Sequence, residues 1–100
     1  MYVKDGIVYK IINIELDMIQ PVFMGKELYQ DIAQRLVAHN VTTSQPIVNE
    51  YPGNDRLASL VVHVSNQDNP ENVRLANVKK ALDGLLDKYQ CYSGIRISLN

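Results

Sequence analysis

Apolar and polar positions alternate along the start of the chain. Val8, Ile12, Ile14, Leu16 and Met18 share one parity, with Lys10 the single misfit, and Tyr9, Ile11, Asn13, Glu15 and Asp17 share the other. A period of two describes a strand with one face in a core, so Ile7 to Met18 reads as the first strand. Asp5-Gly6, between Tyr2-Val3-Lys4 and Ile7-Val8-Tyr9, favours a type I′ hairpin turn ahead of it. Pro21 and Gly25 mark residues 19–25 as a loop, although Ile19, Val22, Phe23 and Met24 are unusually apolar for one. They either tuck under the first helix or present a binding edge.

The period then changes. Leu28, Ile32 and Leu36, with Ala33 and Val37 beside them, form one helical stripe over Lys26 to His39, and Asn40 is the stop. Pro46 to Tyr51 reads as a short strand, Pro52-Gly53-Asn54-Asp55 as a turn, and Leu57 to Asn66 as the return strand. In that strand Ala58, Leu60, Val62 and Val64 face one way, and Ser59, Val61 and His63 the other. Asn69, Pro70 and Glu71 supply an N-cap, a first helical residue and a first-turn acid. Leu75, Val78, Leu82, Leu85 and Tyr89 follow at spacings of three and four, predicting a helix of about twenty residues. Gly84 inside it costs up to ~1 kcal/mol relative to Ala. Ile95, Ile97 and Leu99, alternating with Arg96 and Ser98, give a last strand.

The predicted order is β-α-β-β-α-β within one domain, residues 1–100. Two amphipathic helices and four one-sided strands bury their apolar surfaces together only if both helices lie on one face of one sheet. With right-handed crossovers, the expectation is an α+β, ferredoxin-like fold: a four-stranded antiparallel sheet, first and third strands central, two helices on one face.

Composition narrows the function classes. The chain has 100 residues, 46% of them hydrophobic, with ten basic and eleven acidic residues and a formal net charge of −1. That balance creates no field to gather polyanions, which argues against nucleic acid and membrane surfaces as partners. The single cysteine, Cys91, permits no intrachain disulfide, and with no secretory signal pattern the expected setting is cytoplasmic. No apolar run approaches the length of a membrane span.

His39 and His63 lie on separate elements and no metal-ligand spacing exists. Cys91 falls at the end of the second helix, where the dipole opposes a thiolate. No glycine-rich phosphate cradle occurs. The third strand lacks the aromatic platform of RNA-binding modules that share this topology, and residues 19–25 hold no anion-binding arginine of the acylphosphatase kind. The expectation is a protein that is not an enzyme and carries no cofactor or metal. From Ile14 to Leu99 the element order, with Asp17, Pro21 and Gly25, loosely resembles regulatory ACT-type modules, which bind small effectors between subunits. Their acidic-Pro-Gly residues are nearly contiguous, whereas here they are spread out, so the likeness does not make the chain a member.

What remains is the outward surface. The sheet face turned away from the helices would carry Tyr9, Ile11, Glu15, Val61, His63 and Arg96, and Tyr9, Ile11 and Val61 would make an apolar patch there. His63 would lie near Glu15 or Arg96 as a pH-sensitive contact. The hairpin tip offers Tyr51, Asn54 and Arg56. The expected function is a non-enzymatic protein-interaction or regulatory module that self-associates as a homodimer through its sheet face. Alternatives are an ACT-like domain sensing a small-molecule ligand, or an accessory, inhibitor or assembly protein of a virus or mobile element.

Overall fold

The computed structural model describes residues 2–4, 7–19, 25–51, 56–65, 72–89 and 92–99. β1 (Tyr2–Lys4) runs antiparallel to the start of β2 (Ile7–Met18), Tyr2 opposite Tyr9 and Lys4 opposite Ile7. The strands form the hairpin pair that Asp5-Gly6 predicts, while the turn itself lies outside the described residues. β2 also pairs antiparallel with β4 (Leu57–Ser65) on one side and β5 (Tyr92–Leu99) on the other. β3 (Val48–Asn49) borders β4. The chain is therefore α+β, with a four-stranded antiparallel sheet ordered β5-β2-β4-β3 and β1 added in line with β5 as a fifth strand.

The parity read along β2 decides what is buried. Ile12, Ile14 and Leu16 are fully buried, and so are Leu60 and Val62 of β4. They share one core with Leu28, Ile32 and Leu36 of α1 (Gly25–Ala38), and with Val78, Leu82 and Leu85 from the second helical region. Both helical stripes thus cover the same sheet face. Each such Ile, Leu or Val contributes about 1.5–3 kcal/mol by leaving water.

α1 ends where Asn40 predicts. Asn40 takes φ 62°, and the Asn40 and Val41 N–H groups donate to the Val37 and Leu36 carbonyls, each at 2.9 Å. This is a Schellman closure, with Val41 and Leu36 both buried behind it.

The second helix departs from expectation. It is two pieces, α2 (Leu75–Ala81) and α3 (Leu85–Lys88), separated at Gly84 with φ 79°. The Asp83 N–H donates to Lys80 O rather than one residue further back, so the last turn of α2 tightens and the left-handed glycine closes it. Arg35 of α1 donates to the Asp83 carbonyl at 2.8 Å, satisfying an oxygen that the break leaves outside the helix. The helix also starts late: Asn72 to Arg74 form a turn. Asn72 and Asn77 donate side-chain hydrogen bonds to the Asn40 and His39 carbonyls, tying α1's end to α2's beginning. The predicted cap at Asn69, Pro70 and Glu71 lies outside the described residues. Leu75, placed on the buried stripe by its spacing, is exposed, as is Val37 beside the stripe of α1.

β3 is shorter than the predicted 46–51. Only Val48 and Asn49 hold register with β4, and Thr43 makes an isolated bridge to Val64. β5 is longer than predicted, beginning at Tyr92.

Candidate functional site

Register builds the outer sheet face row by row. Ile11 stands opposite His63; Asn13 stands between Val61 and Ser98; Glu15 between Ser59 and Arg96; Asp17 between Leu57 and Gly94. Val48 extends the second row beyond Val61. No described helix lies over this face.

Its apolar part runs diagonally from Ile11 through Val61 to Val48. Val48 is 55% exposed and Ile11 half-buried, but Val61 retains only 9%, and Ser59 in the next row only 7%. Val61 therefore fills the floor of the patch, and Ile11 and Val48 supply its accessible surface. The Tyr9 side chain lies outside the described residues.

The polar part is a cross-strand cluster. Arg96 donates through Nη1 to Asp17 Oδ2 at 2.6 Å, and through Nη2 to Asp17 Oδ1 at 3.1 Å and Glu15 Oε2 at 3.2 Å. The Arg96 hydrogen bond, against the opposing effect of burial and with help from the Arg96 charge, holds the Asp17 carboxyl below its ordinary value. The same contacts raise the Arg96 guanidinium. Being exposed, the cluster fixes register and orientation more than it adds stability.

His63 does not join it. Its strand position faces Ile11, four residues along β2 from Glu15, a separation of roughly 13 Å. The expected contact between His63 and Glu15 or Arg96 is thereby corrected. His63 belongs instead to the patch end, where its carbonyl accepts from the Ser44 backbone and hydroxyl. Tyr51 and Arg56 are exposed at the other end of the sheet, where the Arg56 carbonyl accepts from the Met18 N–H at 2.9 Å. Asn54 between them lies outside the described residues. Ile19 is 63% exposed just past Met18, so the start of the apolar loop faces outward; Val22, Phe23 and Met24, like Cys91, lie outside the described residues.

Two further features were not visible in the residue pattern. One is a charged seam between helices. Asp31 lies 3.1 Å from Arg35 Nε and 3.5 Å from Lys88 Nζ. Burial alone would raise its carboxyl; the Arg35 hydrogen bond and the nearby Tyr89 hydroxyl, with the charges of Arg35 and Lys88, outweigh that and hold it low. Tyr89 is pushed up to about 12, first by burial and then by Asp31 beside it. With Arg35 also holding Asp83 O, the seam clamps α1 against the break at Gly84. The second feature is a groove of about 650 Å³ between that break and β5, walled by Lys79, Leu82, Leu86 and Asp87 and by Ile95 and Ile97. Gly84 was the signal for it.

Among the described residues, no three His, Cys, Asp or Glu side chains come together as a metal site, and no helix is long and apolar enough to cross a membrane. Compared with known proteins, the chain matches no family model, no curated protein and no solved structure.

Proposed function

We propose that the chain is a small non-enzymatic protein-interaction or regulatory module, which self-associates through its outer sheet face. One observation carries the reading: a sheet face that no described helix covers, crossed by Ile11, Val61 and Val48 beside an ion-paired Glu15–Arg96–Asp17 cluster. A flat surface with an apolar band and a tied polar margin suits a protein partner better than a small ligand, which calls for a concave site. The strand order β5-β2-β4-β3 with both helical stripes in one core supports a ferredoxin-like arrangement for the module. The near-neutral charge and single cysteine fit a cytoplasmic setting with no nucleic-acid partner.

Light scattering on the purified chain tests the self-association. Ile11→Glu is the informative variant, because Ile11 is only half-buried, whereas a carboxylate at Val61 would be buried and would unfold the chain for other reasons. Self-association at high micromolar concentration that Ile11→Glu weakens, with an unchanged circular dichroism spectrum, is the expected result. A wild-type chain that stays monomeric there would end the proposal.

The groove beneath α3 favours a second reading, small-ligand sensing. A thermal-shift screen against metabolites separates the two, since a ligand at a hundred times its dissociation constant stabilises by ~2.7 kcal/mol.

A further inference from the structure

The two edges of the sheet are built differently. At one, β3 keeps only Val48 and Asn49 in register, Pro46 stands exposed before them, and the Asn49 side chain accepts the N–H groups of Tyr51 and Ser59 at 3.1 and 3.2 Å. Brief pairing, a proline and irregular backbone are the usual devices that stop an edge from adding strands. At the other, β5 holds unbroken register with β2 from Gly94 to Leu99 and contains no proline. Among the described residues no strand pairs with its far side. Arg96, the one charged side chain on β5 that could guard the edge, is drawn back across the sheet onto Asp17 and Glu15. Alternate residues of such a strand direct both N–H and C=O outward, and the complement of that row is another strand.

The groove lies along the same edge, and its helical wall carries opposite charges at its two ends. α3 passes through a short connection into β5, so the helices run back along the strand. Asp87 then stands toward the start of β5 and Lys79 toward its end, both exposed. A two-fold axis normal to the sheet would set a second β5 antiparallel to the first, keep both helical layers on one side, and turn each Lys79 toward the other copy's Asp87.

We infer that the β5 edge is a homotypic contact: two copies of the chain pair their β5 strands antiparallel, joining their sheets into one, with Lys79 of each facing Asp87 of the other across the groove. The contact uses a surface distinct from the sheet face, and it puts the two Ile11–Val48 patches on the same face of one continuous sheet, with the paired β5 strands between them.

Sedimentation equilibrium of the full chain tests it, with amide exchange at low and high concentration alongside. Lys79→Glu and Asp87→Lys each reverse two symmetry-related pairs and are expected to raise the dimer dissociation constant about tenfold. The double swap restores the wild-type value, and alternate amides between residues 94 and 99 exchange more slowly in the dimer. Both positions are exposed, so neither variant threatens folding. Weakening by the single reversals and rescue by the swap, whether or not Ile11→Glu also lowers the mass, establishes the edge contact. A monomer at every concentration overturns it. So does a dimer that the reversals leave unchanged and Ile11→Glu abolishes, and that outcome keeps the sheet-face reading while removing this one.

Discussion

At Asn40 a single side chain decides where a helix stops. Its φ of 62° lies in the left-handed region, which asparagine tolerates and alanine resists by roughly 1–2 kcal/mol. Asn40→Ala is accordingly expected to lower stability by about 1 kcal/mol and Asn40→Gly to leave it unchanged, read as shifts in urea midpoint at constant slope. This position is legible in the sequence because the cap is local: the end of the apolar stripe and the asparagine after it are neighbours. Asp31 is not legible, since Arg35 alone is near in sequence and Lys88 and Tyr89 arrive from α3. Its folded carboxyl is held below the ordinary 3.8. Between the two values the unfolded chain binds more protons, so the stability Asp31 contributes is complete well above 3.8 and drains away as pH falls through the folded value. Asp31→Asn should cost about 1–2 kcal/mol at neutral pH and flatten the acid limb of a stability–pH curve. An unchanged acid limb would show that the seam contributes nothing.

The long strands and the first helix are legible from period alone, because β2 and β4 each present one parity to the core and α1 one stripe. The break at Gly84 hides for a related reason. Val78, Leu82, Leu85 and Tyr89 are all buried, so apolar spacing continues across a backbone that does not. A substitution separates the two structures by sign. In an unbroken helix Gly84→Ala would stabilise by up to ~1 kcal/mol. At φ 79° it should destabilise by about 1 kcal/mol. The added Cβ would meet only Asp87 Oδ2 at 3.6 Å, an ordinary contact, so the backbone angle alone is responsible. The shortness of β3 was hidden differently. Apolar Ile47 and Val48 follow Pro46, but the Asn49 side chain takes over hydrogen bonds that a longer strand would have made through its backbone.

Across the whole molecule, one face of the sheet carries the core, and among the described residues no helix covers the other. That division was legible because helices with apolar stripes must cover something. The make-up of the contact face was not, because which residues meet across strands depends on register, and a one-residue slip would exchange every pair. Arg96 is the case in point: parity alone placed it outward, and only the pairing of β5 with β2 brings it onto Glu15 and Asp17. Two adjacent residues of β2 test the division directly. Ile12 is fully buried, and a carboxylate there would lose its water, so Ile12→Glu should abolish the cooperative fold. Ile11, one position along, points to the opposite face beside His63, and Ile11→Glu should change stability by no more than about 1 kcal/mol. Urea titrations followed by circular dichroism would read both. If Ile11→Glu proved as damaging as Ile12→Glu, the outer face would have to be covered within the chain itself, and neither copy-to-copy docking on it nor a sheet shared through β5 would leave that face open to a partner.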